Sequence, residues 1–200
     1  THTHDDRTLD DVLKNSKNVN FSIGDPNSTS GFLVPTFYVF AQNNVDHRSA
    51  FKTVRNASHG ANIQAVLAKQ VDVATNNTED MGKLETSKPE LFQQLRVIWR
   101  SPLIPSDPFV WRKDLNPAVK AKLKSFVLNY AKNDPAEKAI LNNIYNYDGF
   151  RESNNDQLIP IRQLELFRDR RKAEGDEKLS ADERAKQIAE IDRKLAALKK

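Results

Sequence analysis

The sequence predicts an α/β fold with a mostly parallel sheet, and three observations carry that reading. Short apolar strand patterns alternate with helical patterns through roughly the first 100 positions. The first strand pattern, Val19-Asn20-Phe21-Ser22-Ile23, passes through a Gly/Asp/Pro turn directly into the apolar run Phe32 to Ala41. After Arg100 the character changes, and nearly everything is helical with almost no strand between.

Taken in order, Thr8 to Lys14 places Leu9, Val12 and Leu13 at helical spacing with acids early and Lys14 late. Residues 19–24 form the first strand. Ser28 to Asn43 is expected to be helical, with Pro35 kinking it or delaying its regular part, because proline has no backbone donor. Phe51 to Arg55 reads as a strand, residues 56–60 as a turn, and Ala61 to Gln70 as a helix with Ile63, Val66 and Leu67 inward. Val71 to Thr75 is a short buried strand, and Asn76-Asn77-Thr78 caps a helix from about Glu79 to Thr86. Leu95 to Trp99 is the next strand pattern.

Residues 101–108 carry three prolines, at 102, 105 and 108, and predict an extended crossing segment. Phe109-Val110-Trp111 follows as a strand. Helices are expected over Pro117 to Ala131, Pro135 to Asn143, Ile161 to Lys172 and Ser180 to Lys199. The last opens with the capping-box pattern Ser180-Ala181-Asp182-Glu183 and continues with Ile188, Ile191, Leu195 and Leu198 on one stripe. That stripe suits its own domain or a second subunit, so a homodimer through the C-terminal helices is one expectation. Helices without a sheet to cover suggest that part of their native domain lies elsewhere.

Composition narrows the function. The 200 residues suffice for one good core or two small lobes. Lys and Arg number 31 and Asp and Glu 27, for a net charge of +4. With no aromatic-interleaved basic patch, no nucleic-acid partner is expected. There is no cysteine, which excludes disulfides, thiolate metal ligands and a cysteine nucleophile. Neither a metal nor a cofactor is expected. The chain opens Thr1-His2-Thr3-His4-Asp5-Asp6 with no initiator Met and no signal-peptide pattern, so it reads as processed or truncated. His2 and His4 are expected to be solvated.

The loop Gly24-Asp25-Pro26-Asn27-Ser28-Thr29-Ser30-Gly31 is the strongest candidate site. The first amides of a helix lack internal partners and carry the positive end of its dipole. Hydroxyls at Ser28, Thr29 and Ser30 would add donors to an oxyanion. Equally, Asn27 or Ser28 could simply cap the helix, with Asp25-Pro26 making the turn. Three further positions sit where strands or the crossing segment hand over to the next element: His59, Glu79 and Asp107. In open α/β sheets such loops gather at the ligand crevice. His59 could donate to an anion, while the two carboxylates would suit an ammonium group. The competing readings are a surface histidine, a carboxylate complementing a helix dipole, and a turn-fixing aspartate. Ser with His59 also suggests hydrolysis, but the Gly-x-Ser-x-Gly context is missing.

Several blocks in one order resemble the PhnD-type phosphonate-binding proteins of bacterial phosphonate ABC importers. They are Gly24 to Pro35, Gln70 to Glu79, Trp99 to Pro105 with Asp107-Pro108, Trp111-Arg112-Lys113, and Leu158 to Leu164. The likeness covers residues 8–170. It implies a type II periplasmic-binding-protein fold of two lobes joined by crossing strands, without cofactor or catalytic residues. It places phosphonate oxygens on Ser28, Thr29, Ser30 and His59, and an aminoalkyl group, as in 2-aminoethylphosphonate, on Glu79 and Asp107. The implied partners are a small phosphonate and an inner-membrane permease, and the implied location is the periplasm. On this reading residues 8–103 are the second, ligand-binding lobe. Residues 104–112 are the crossing segment and strand, and 113–200 are C-terminal helices of the first lobe with a helical tail. Family members begin with a further first-lobe segment that this chain lacks. The alternatives are an enzyme on the same fold acting on a phosphate- or phosphonate-bearing small molecule, and an effector-binding domain fused to a DNA-binding helix-turn-helix.

Overall fold

The computed structural model describes residues 1–2 and 5–198, and its sheet has three parallel strands in the order β2-β1-β3. These are β1 (Asn20–Ile23), β2 (Thr53–Asn56) and β3 (Val73–Ala74). Phe21 lies opposite Val54 on one side and Val73 on the other. β1 is central and covered on both faces, so Phe21, Ser22 and Ile23 are all buried. Phe21 stacks on Phe51 with ring centroids 4.6 Å apart, and Phe40 meets it edge-on at 5.4 Å. Val12, Val19, Val39 and Val73 complete this core.

α1 (Leu9–Lys14) begins at Thr8, which forms a reciprocal capping box with Asp11. The expected helix after β1 is present as one helical run over 29–43. It is wound as π turns over Thr29–Leu33 and Thr36–Phe40, on either side of Pro35, and closes with a 3₁₀ turn at Ala41–Asn43. Widening the turn is the local answer to a proline that has no N–H and crowds the carbonyl four residues back. A short α2 (His47–Ala50), capped by Asp46, was not foreshadowed by the pattern. β2 then starts at Thr53, because Phe51 is drawn into the core ahead of it.

α3 (His59–Leu67) starts two residues before the expected Ala61, since Ser58 caps it. α4 (Thr78–Ser87) is capped by Asn77, and α5 (Pro89–Phe92) follows. Residues 95–99 do not form the expected strand. Leu95 makes only one antiparallel bridge, to His2, while Ile98 and Trp99 pack on the core from irregular chain. Phe109-Val110-Trp111 is likewise not a strand; the three side chains are exposed and the backbone has no ladder partner among the described residues.

By contact the chain divides into two units, Thr1–Ile104 with Leu158–Lys200, and Pro105–Gln157. The second unit holds α6 (Pro117–Asn129) and α7 (Pro135–Tyr145). Between them Ala131 adopts φ 62 and its N–H is held by Glu137 at 2.7 Å. Leu141 is buried there, while Val119, Leu123, Phe126, Ile140 and Ile144 are exposed.

α8 (Ile159–Glu174) and α9 (Ala181–Ala197) belong to the first unit. α8 buries Leu164 in the cluster of Leu33, Val34 and Phe37, and Phe167 stands perpendicular to Phe37 at 4.7 Å. α9 opens with the expected Ser180–Glu183 capping box and packs on α8. Ile191 is buried and Ile188, Leu195 and Leu198 are half-buried, so the apolar stripe is engaged within the chain. Arg170 ties the two helices through Asp192 at 2.9 Å. His4 and Lys199, each part of an expectation above, lie outside the described residues. Among the described residues no helix is long and apolar enough to cross a membrane. Nor do they hold a group of three His, Asp or Glu side chains able to bind a metal.

Candidate functional site

Because the three strands are parallel, the loops after Ile23, Asn56 and Ala74 leave the sheet at one edge. The loop from the central strand lies between the other two and is tied to both. Ala57 donates its N–H to the Ile23 carbonyl at 3.0 Å, and Asn56 Nδ2 donates to the Gly24 carbonyl at 2.8 Å. From the β3 side, Thr75 Oγ1 donates to the Gly31 carbonyl at 2.7 Å and accepts from the Gly24 N–H at 3.0 Å.

The loop is a closed ring. Gly24 N–H reaches the Gly31 carbonyl at 2.9 Å, and a Cβ built on Gly24 would lie 2.6 Å from Gly31 Cα. Only glycine permits that approach. Asp25 turns the chain by accepting the Asn27 N–H at 2.8 Å. Ser28 caps the helical run, with its Oγ accepting the Gly31 N–H at 3.0 Å. Capping uses a lone pair and leaves the hydroxyl proton able to donate. The bland and the functional readings of Ser28 are therefore compatible. The Thr29 hydroxyl has no hydrogen bond among the described residues. The amides of Thr29 and Ser30 open the run and have no carbonyl behind them within it.

His59 is the first residue of α3, with Ser58 accepting the Ala61 N–H as its cap. Its Nε2 lies 3.0 Å from Ser30 Oγ, and its Nδ1 is buried with no hydrogen-bond partner among the described residues. The ring lies over Gly31, whose missing side chain makes room for it: a Cβ there would be 2.8 Å from His59 Cε1. Asn76 Nδ2 holds the His59 carbonyl at 3.0 Å and so links this loop to the next.

Beneath the loops, Ser22 and Asn62 are fully buried. Ser22 Oγ donates to Asn62 Oδ1 at 2.5 Å, and Asn62 Nδ2 donates to the Thr75 carbonyl at 3.0 Å. Each of these polar groups is thereby satisfied, as burial requires.

Of the residues singled out from sequence, Ser28, Thr29 and Ser30 share one loop, and Ser30 and His59 are in direct contact. Glu79 sits exposed in the first turn of α4, accepting from the Thr78 hydroxyl at 3.2 Å, and among the described residues makes no hydrogen bond to the hydroxyl loop. Asp107 lies exposed in the other unit. Sequence reasoning missed Thr75, Asn62 and Asn76. The Asn76-Asn77-Thr78 run directly after a strand predicts a helix cap, and nothing in it points to Thr75, Asn62 or Asn76 as holding the loop. Chemically, the edge gathers hydroxyl, amide and imidazole groups, the donor set that an oxyanion needs.

The profile of the family described as "ABC transporter, phosphonate, periplasmic substrate-binding protein" matches residues 1–158. The chain is 49% identical over 187 residues to the "Phosphonates-binding periplasmic protein" of Escherichia coli K12, covering 94% of this chain and 54% of that protein. It is 27% identical over 157 residues to a Prochlorococcus marinus protein named "Probable ABC transporter phosphite binding protein", covering 76% of this chain and 52% of that one. It also superposes on the crystal structure of a binding protein component of an ABC phosphonate transporter from Pseudomonas aeruginosa. That match has a TM-score of 0.88 and 47% identity, over 99% of this chain and 65% of that one. The chain thus spans about half the length of the curated relatives it matches. With an α/β parallel sheet of the same build, a hydroxyl-rich loop at its carboxyl edge and these matches, the chain belongs to the periplasmic substrate-binding proteins of phosphonate ABC transporters.

Proposed function

We propose that this chain carries one wall of the ligand cleft of a periplasmic solute-binding protein that delivers phosphonates to an inner-membrane ABC permease. The observation that carries the reading is the Ser28–Ser30 loop, bonded to His59 through Ser30 at 3.0 Å, at the carboxyl edge of the central strand. The phosphonate oxygens take the hydroxyls of Ser28, Thr29 and Ser30, the opening amides and His59. Glu79 and Asp107 receive the ammonium of an aminoalkylphosphonate such as 2-aminoethylphosphonate. Closure around the ligand presents the carrier to the permease, and no bond in the ligand changes. A homodimer through the C-terminal helices is a separate element of this proposal; because α9 packs on α8 of its own chain, such a dimer would use the faces these helices leave exposed rather than the 188–198 stripe. Sedimentation of the full-length protein tests it.

Calorimetry on the full-length gene product tests the ligand. Replacing Ser28, Thr29 and Ser30 together by Ala should abolish measurable phosphonate binding while the protein stays folded; unchanged affinity would place the anion elsewhere. Glu79→Gln and Asp107→Asn should weaken 2-aminoethylphosphonate but leave ethylphosphonate unaffected. Equal losses for both ligands would refute the amine assignment.

The Ser30–His59 contact also favours a second reading, an enzyme with a hydroxyl nucleophile and an imidazole base. That geometry would gain from a carboxylate on Nδ1, and the buried Nδ1 has no partner among the described residues. Phosphorus NMR of 2-aminoethylphosphonate incubated with the protein decides between them, since a carrier returns the ligand unaltered.

A further inference from the structure

We infer that Thr75 is a positioning residue: its hydroxyl fastens the two ends of the 24–31 loop and so holds the Ser28–Ser30 donors in the geometry that receives an anion. The inference rests on the anion-binding reading above and adds a residue that does not touch the ligand.

Thr75 Oγ1 meets both loop ends at once, donating to the Gly31 carbonyl at 2.7 Å and accepting from the Gly24 N–H at 3.0 Å. A threonine hydroxyl has a single proton, and here it is committed to Gly31. Thr75 therefore cannot serve the anion as a donor, and its role must act through the loop.

The Gly31 carbonyl is open to this bond for a reason written in the sequence. In an α-helix the N–H four residues on would claim it, and that residue is Pro35, which has none. The carbonyl released by Pro35 is taken by Gly24 from within the loop and by Thr75 from the neighbouring strand. Thr75 is itself held: its N–H donates to the Ser22 carbonyl at 3.0 Å, and its carbonyl accepts Asn62 Nδ2 at 3.0 Å. The staple is anchored in the buried sheet. A loop ordered before the ligand arrives avoids the conformational cost of ordering on binding.

The test uses the full-length gene product and calorimetry with 2-aminoethylphosphonate and methylphosphonate. Thr75→Val keeps the shape and removes the hydroxyl; it should weaken both ligands by the same factor, roughly tenfold. Thr75→Ser should restore wild-type affinity, a rescue that a packing role for the methyl group would not give. Wild-type affinity in Thr75→Val overturns the inference, and so does a Thr75→Ser variant as weak as Thr75→Val. Should Thr75→Val fail to fold, Thr75→Cys, whose thiol is a poor donor, takes its place in the comparison with Thr75→Ser. The triple alanine variant of Ser28, Thr29 and Ser30 separates the two failures. If it binds normally, the anion reading falls; if it loses binding while Thr75→Val does not, only the staple falls.

Discussion

Gly31→Ala is the sharpest perturbation of the site, because one methyl group meets three neighbours at once. The new Cβ would stand 2.8 Å from His59 Cε1, 2.9 Å from Ser28 Oγ and 3.0 Å from Gly24 Cα. Gly24 is backbone and is stapled, so it cannot move cheaply, whereas the His59 ring can rotate. To reach ordinary carbon contact the ring must retreat by roughly 0.7 Å or more. That retreat stretches its 3.0 Å contact with Ser30. Overpacking of this kind costs about 1–3 kcal/mol of stability. The binding cost is separate: losing an imidazole donor to a charged oxygen removes about 1.5–3 kcal/mol, or roughly 10- to 150-fold in affinity. Urea denaturation measures the first and phosphonate calorimetry on the full-length protein the second. A folded Gly31→Ala variant with wild-type affinity would refute the placement of His59 over Gly31 as a ligand-facing contact. So would a ring-nitrogen NMR signature of His59 left unchanged by the substitution.

Three other outcomes are expected. Asn62→Ala leaves Ser22 Oγ and the Thr75 carbonyl without their buried partner and should destabilise by about 2–4 kcal/mol in urea melts, far more than a surface Asn→Ala. His47 is buried between Phe32 and Phe40, and burial lowers its pKa from the usual 6.5. The unfolded chain then binds more protons than the folded one as pH falls past 6.5. Stability should therefore drop between neutral pH and the lower folded-state value, and His47→Gln should flatten that slope in melts at pH 5 and pH 8. The apolar face of α6 formed by Val119, Leu123 and Phe126 is exposed, so the 200-residue chain should bind a hydrophobic dye and associate with concentration. Phe126→Asp should reduce both, as read by dye fluorescence and sedimentation.

Strand prediction succeeded where a pattern had somewhere to pair. Val19 to Ile23 became the central strand because apolar chain lies on both sides of it. Leu95 to Trp99 has as apolar a pattern, yet only Leu95 finds a bridge, and Ile98 and Trp99 bury themselves from irregular backbone. Phe109 to Trp111 finds none, and all three side chains are exposed. Alternation records which side chains want burial, while a strand also needs a neighbour's backbone, a property of the whole sheet. Pro35 shows the same limit at a smaller scale. Its missing N–H announced a disturbance, but whether the run would kink or widen depended on which group claimed the stranded Gly31 carbonyl.

The residues proposed to face the ligand were the legible part of the candidate site because their chemistry is local. Three hydroxyls at a helix start and a histidine at another are unusual enough to notice in a string of letters. The residues that hold them are not unusual at all. Thr75 and Asn62 look like an ordinary strand-end threonine and a mid-helix asparagine until the order β2-β1-β3 is known. That order sets the central loop between two neighbours and lets Asn56 and Ala57 grip it from one side and Thr75 from the other. An anion site made from backbone amides depends on a fixed main chain, since an amide has no side chain of its own to adjust. The fixing must then come from adjacent strands, and its residues become visible only when the topology says which strands are adjacent.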